Sequence, residues 1–191
     1  MNKMSQVKRL CICAVCIALC YVLPIAFHSV GLGSVLSPMH IPVLLCGLLC
    51  GGGYGLLCGL TGPVLSALVG SMPPLAMLPR MIPELCAYGL ATGLCMKWIH
   101  TRKAVADVYI SLFVAMLFGR IVGGVASAIY FTVTTGSYSL LLWATGYFAE
   151  SLPGIVAHLV LVPVLVFTLQ KARVIPARYP KEIQEKEESH E

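Results

Sequence analysis

Charge is what this sequence has least of. Asp, Glu, Lys and Arg make up 11% of its 191 residues, against 58% hydrophobic, where a soluble domain carries about 25% charged residues. That scarcity excludes an ordinary soluble domain and points to an integral membrane protein. Nucleotide-binding signatures are missing as well. There is no G-x-x-x-x-G-K-[ST] run and no G-x-G-x-x-G between a strand and a helix. Any energy input therefore comes from another chain or from a gradient. H-E-x-x-H is absent, and so is a serine nucleophile with a convincing partner. No catalytic residue, cofactor or resident metal is expected, and no nucleic-acid partner. The N-terminus "MNKMSQVKR", followed by an apolar run, has the shape of a secretory signal but lacks a small-residue cleavage site. It reads as an uncleaved first span.

Cysteine, by contrast, is plentiful at nine. Within apolar helices a thiol behaves as a small hydrophobe, and C-x-x-C at helical spacing without a second ligand pair makes a poor zinc site. The apolar blocks fall at about 10–27, 39–70, 80–98, 107–133 and 140–169, and a span needs roughly 20 helical residues. The block at 39–70 contains Gly51, Gly52 and Gly53 in a row, which disfavours one continuous helix.

Basic residues settle the count. Lys3, Lys8 and Arg9 precede the first block; Lys97, Arg102 and Lys103 follow the third; Lys171, Arg173, Arg178, Lys181 and Lys186 follow the last. Lysine and arginine collect on the cytoplasmic side, so 39–70 must cross twice. The expectation is an all-α polytopic protein with six transmembrane helices in a compact bundle and both termini cytoplasmic. Its membrane domain is 1–170, and 171–191 is a charged cytoplasmic tail. The outer loops, 28–38, 71–79 and 134–139, then contain no Lys or Arg at all. The loop "HSVGLGSVLSPMH" at 28–40 is either a cover over a cavity or a connector.

Few ionisable groups remain inside the spans: Arg80 and Glu84 on helix 4, Arg120 on helix 5, Glu150 and His158 on helix 6, with His40 at the start of helix 2. A charge at a helix centre costs roughly 2.5–3.5 kcal/mol on insertion scales, so each needs a reason. From 1.5 Å per residue, Arg120 and Glu150 share a depth near the middle or outer half of the bilayer, and His158 lies about 12 Å deeper than Glu150. One reading pairs Arg80 with Glu84 at i,i+4 and Arg120 with Glu150 across helices. The other has all six converge on a pocket open to the outside. There the Arg80 fork suits a carboxylate or phosphate, and the glutamates accept hydrogen bonds from hydroxyls, amides or a cation. Ala14 and Ala18 form an A-x-x-x-A on helix 1, and "FGRIVGGVASA" (118–128) is a second small-residue seam. Both suit close helix approach.

Taken in order along the chain, these features resemble the substrate-binding S components of energy-coupling factor (ECF) transporters, prokaryotic importers of vitamins and related micronutrients. The A-x-x-x-A at Ala14/Ala18, "SPMHIPVLLCG" with its glycine-rich turn, "LPR" at 78–80, "GRIVGG" and "LPGIVAHLVLVPVL" at 152–165 carry the resemblance. A departure is His158, where family members often have Gln. The resemblance implies a multi-pass protein of a prokaryotic cell membrane. Its pocket lies in the outer half of the membrane, under the loop between helices 1 and 2, with residues of helices 4, 5 and 6 contributing. The helix 1 alanines face a transmembrane coupling subunit, two ATPases complete the complex, and transport proceeds by toppling of the S component in the membrane. The "PLAMLPRMI" context and the histidine before helix 2 are similar to pantothenate-type members. A self-sufficient secondary transporter with Glu150 as proton carrier and an intramembrane enzyme are the competing readings.

Overall fold

The computed structural model describes residues 4–29, 31, 37–70, 73–135 and 152–176. Expectations for Glu150, for most of the loop at 28–40 and for the tail beyond 176 fall outside the described residues. Among those described there are six α-helices and no strand: α1 Gln6–Ser29, α2 His40–Cys50, α3 Gly52–Gly70, α4 Leu78–Trp98, α5 Ala104–Thr135 and α6 Leu152–Lys171, with a 3-10 turn at Leu75–Met77 leading into α4. The helices α1, α3, α5 and α6 are each long and apolar enough to cross a membrane. Helix α4 has 21 residues but carries Arg80, Glu84 and Lys97. Helix α2 is apolar yet only 11 residues long, about 16 Å, half of a 30 Å hydrocarbon core.

The block at 39–70 is two helices, as its glycines suggested, but the break is narrower than the triplet. Gly51 alone turns the chain, with φ +101°, a conformation that a side chain would oppose. Gly52 and Gly53 already belong to α3. The α1 and α4 boundaries also start earlier than the apolar blocks implied, at Gln6 and Leu78. Pro79 explains the latter, since proline is accepted in the first helical turn, where its missing N–H is no loss.

The short helix α2 is the centre of the fold. Past His40 its sequence "IPVLLCGLLC" offers no charged or amide side chain, and Ile41–Leu48 and Cys50 are buried. A helix that is apolar all round belongs inside. It packs on α1, α3, α4 and α6, while α4 also packs extensively on α5 and α3. Large exposed hydrophobics lie on the outer faces, among them Phe113, Leu117, Phe118, Ile121, Val125 and Ile129 of α5, and Val156, Val160 and Val164 of α6. Apolar outside, with Ser66, Thr92, Asp107, Ser127 and His158 buried, is the distribution of a protein whose solvent is lipid.

Where α2, α3 and α4 meet, glycine lets backbone touch backbone. A Cβ on Gly89 would collide with the Gly55 carbonyl, and one on Gly55 would lie 2.8 Å from Gly47 Cα. In lipid, where apolar burial drives little, such close approach is what holds helices together. The α1–α2–α3 seam uses thiols instead. Cys13, Cys16 and Cys20 form a stripe on α1 at spacings of three and four, and they join buried Cys46, Cys50 and Cys58, all free. Cys46 and Cys13 direct their thiols at the Tyr54 carbonyl, at 3.5 and 3.7 Å, and Cys50 at the Arg9 carbonyl at 3.5 Å. They act as compact hydrophobes with weak donors.

Replacing Gly89 with alanine is expected to destabilise the fold by about 1–3 kcal/mol through overpacking against α3. The check is the midpoint of thermal unfolding in detergent. Gly53→Ala, where an added Cβ meets nothing within 4 Å, serves as the control. Equal midpoints for the two variants would contradict the backbone contact.

Candidate functional site

Helix α4 arranges Arg80, Glu84, Tyr88 and Thr92 at successive intervals of four, so they share one face. Thr92 is fully buried and satisfies its hydroxyl on its own helix, donating to the Tyr88 carbonyl at 2.8 Å. The three residues above it are aimed at other helices. Glu84 is buried, and two groups approach its Oε1: the Tyr88 hydroxyl, donating at 3.3 Å, and His40 Nε2 at 3.7 Å. Burying a carboxylate is tolerable only with such partners.

His40 is the first residue of α2, and four neighbours surround its ring. Nδ1 lies 3.1 Å from the Ser37 carbonyl. Tyr88 meets the ring edge-on at 5.1 Å between centroids, and His158, from α6, stacks on it at 5.6 Å. The start of α2, the second turn of α4 and the first half of α6 thus converge on one cluster. His158 is 2% exposed and Tyr88 1%, so the cluster is enclosed.

Helix α5 makes room for it. A Cβ on Gly123 would lie 2.8 Å from the Glu84 carboxylate, and one on Gly119 would lie 2.6 Å from the Tyr88 ring. Arg120, buried, sits in the turn between these two glycines. Seven residues on, Ser127 is buried as well. Phe131, a further turn along, receives Arg80, whose guanidinium carbon is 5.7 Å from the ring centroid, within cation–π range.

The structure therefore brings His40, Glu84 and His158 together with Tyr88, and sets Arg80 against α5 by way of Phe131. The i,i+4 spacing had suggested that Arg80 and Glu84 face each other. Instead, Arg80 meets an aromatic ring of α5, while Glu84 meets an imidazole of α2 and a phenol one turn along its own helix. The Arg120–Glu150 pairing lies outside the described residues. Three residues of this region escaped the sequence reading, Tyr88, Ser127 and Phe131. The available signal was spacing, since Tyr88 follows Glu84 by four and Ser127 follows Arg120 by seven. The "GRIVGG" seam suits close helix approach, and its glycines abut the Tyr88 ring and the Glu84 carboxylate.

On α1, Ala14 and Ala18 are exposed, with Val15 and Val22 beside them, while the cysteine stripe is buried. The small-residue pair lies on the face turned away from the bundle. Among the described residues, no three His, Cys, Asp or Glu side chains are arranged to hold a metal ion.

Residues 8–166 match the family model described as "ECF transporter, substrate-specific component". No curated protein matches the chain.

Proposed function

The chain belongs to the family of ECF transporter substrate-specific components, and from that premise we propose that it captures a small water-soluble vitamin, pantothenate in the first instance, for import across a prokaryotic cell membrane. Family membership makes it a substrate-binding subunit of a transporter and not an enzyme. Its long apolar helices make it a multi-pass membrane protein. The finer reading has six crossings with both termini in the cytoplasm, residues 1–170 as the binding domain and 171–191 as a solvated tail.

The observation that carries this reading is the polar cluster enclosed at one end of an otherwise apolar bundle. Ionisable groups at membrane depth mark ligand or ion pathways by default. Pantothenate has a carboxylate, an amide and two hydroxyls. Arg80, whose guanidinium rests on Phe131, suits the carboxylate, because a planar fork can bind both oxygens. Arg120, Glu84, Glu150, His40 and His158 complete the set assigned to the ligand end. The partners are the remaining parts of an ECF module: a transmembrane coupling subunit and two ATPases, consistent with the missing nucleotide motifs. Exposed Ala14 and Ala18 supply the face on which a helix of the coupling subunit packs closely.

Binding is tested by titration calorimetry of the detergent-purified protein with pantothenate. Arg80→Ala is expected to lower affinity at least tenfold, roughly 1.4 kcal/mol or more, with the unfolding midpoint retained. Undiminished binding would remove Arg80 from the ligand. Docking is tested separately. Ala14→Trp with Ala18→Trp is expected to abolish ATP-driven uptake in vesicles containing the full complex, while the isolated subunit still binds. Full uptake by the double variant would place the coupling subunit elsewhere.

A further inference from the structure

A cation in an apolar bundle can be answered in two ways, and each leaves different chemistry behind. A carboxylate partner takes hydrogen bonds from a guanidinium and cancels its charge. An aromatic face attracts the same charge through the ring quadrupole and leaves the in-plane hydrogens alone. Arg80 has a partner of the second kind. Its guanidinium carbon lies over the Phe131 ring, 5.7 Å from the centroid. Glu84, one turn along the same helix, is directed to His40 and Tyr88 instead. Among the described residues, no ion pair or hydrogen bond engages the Arg80 side chain.

The platform is itself braced. Tyr130 meets Phe131 with 5.6 Å between centroids and 76° between ring planes, an edge-to-face arrangement that aromatic pairs prefer. Both rings belong to α5, whereas Arg80 lies in the first turn of α4, so the contact joins two helices. A guanidinium has five N–H donors in one plane. An arginine with free rotamers must be ordered when a ligand arrives, and that ordering weakens binding. A ring beneath the group limits its rotamers beforehand, while charge and donors stay available.

We propose that Phe131 is a positioning residue: it holds the Arg80 guanidinium so that the N–H edge receives the carboxylate of an acidic ligand, and the pair selects an acid over the corresponding neutral alcohol. This rests on Arg80 belonging to the ligand site, and it gives Phe131 a task in affinity without contact to the ligand.

Two measurements test it. The first needs no ligand: nitrogen–proton NMR of the arginine Nε–H groups in lipid nanodiscs, with Arg80→Lys used to assign the resonance. The Arg80 signal is expected to be displaced by the ring current of Phe131. It should return to the ordinary arginine position in Phe131→Leu and stay displaced in Phe131→Tyr. A signal that Phe131→Leu does not move overturns the proposal. The second compares pantothenate with pantothenol, its neutral alcohol analogue, by calorimetry. Phe131→Leu is expected to weaken pantothenate about fivefold, the scale of one cation–π contact, with a much smaller effect on pantothenol. Phe131→Tyr should restore the acid's affinity, and Phe131→Leu should add nothing in an Arg80→Ala background. If Phe131→Leu lowers the unfolding midpoint, a trifluorinated phenylalanine at 131 decides, because it drains the ring face of negative charge at nearly unchanged size. It should reproduce the selective loss. Equal losses for acid and alcohol, or losses that simply add to those of Arg80→Ala, would make Phe131 a packing residue and sink the idea. If the wild type binds neither molecule, the pantothenate reading fails, and the arginine spectrum alone upholds or overturns the hold of Phe131 on Arg80.

Discussion

A buried carboxylate in a lipid-facing bundle has to be answered from within the protein, and the polar cluster of this molecule is organised around that requirement. The partners of Glu84 include His40 at the head of α2 and Tyr88 one turn along α4. Space for the group exists because α5 presents glycine opposite it. A methyl group at position 123 would push directly on the carboxylate. Helix α5 thus contributes by omission: what matters at 119 and 123 is the absence of a side chain.

The same logic explains why α2 can be so short. An 11-residue helix is too short to span the hydrocarbon core by itself, so the free backbone groups at its ends need partners within the protein. At one end, Gly51 turns the chain directly into α3 and its N–H bonds back to the Gly47 carbonyl at 3.0 Å. At the other, the Ser37 carbonyl accepts the backbone N–H of His40 at 3.0 Å and lies within reach of its ring. Some of the backbone groups at both helix ends are thus paired with their own neighbours. A ring that begins α2 and also reaches α4 and α6 ties the short helix into the bundle.

Much of this architecture is legible in the sequence, because composition reports the solvent directly. Charge scarcity, apolar blocks and basic clusters identify a membrane bundle, and three successive glycines mark the break between α2 and α3. What the sequence cannot resolve is which of the three turns; that depends on how α3 packs against α4, where Gly52 lies under Leu90 and Gly93. The site was legible as a list of scarce polar residues, and less so as a set of contacts. The spacing of Arg80 and Glu84 fits an ion pair, but whether a pair at i,i+4 closes depends on competing partners from other helices. Here Phe131 and His40, distant in sequence from α4, provide them. Tyr88 went unnoticed for a related reason. In an apolar helix an aromatic ring reads as filler until a neighbouring carboxylate gives its hydroxyl a purpose.

The division of labour between the two ends of α1 and α4 has a mechanical consequence. Helix α1 adheres to the bundle along its thiol stripe and leaves its alanine face open, whereas α2, α3 and α4 are joined at glycines with backbone against backbone. Where backbone meets backbone directly, no change of rotamer can loosen the contact, so the joint resists internal shear. The inner helices are thus held together as one body. A body enclosed by lipid carries a buried charge at low cost only when that charge is answered within it. Enclosing Glu84 between α2 and α5 meets that condition, since its partners belong to the same bundle. One buried carboxylate, with its imidazole and phenol neighbours, is thus kept inside the same core that the glycine contacts hold together.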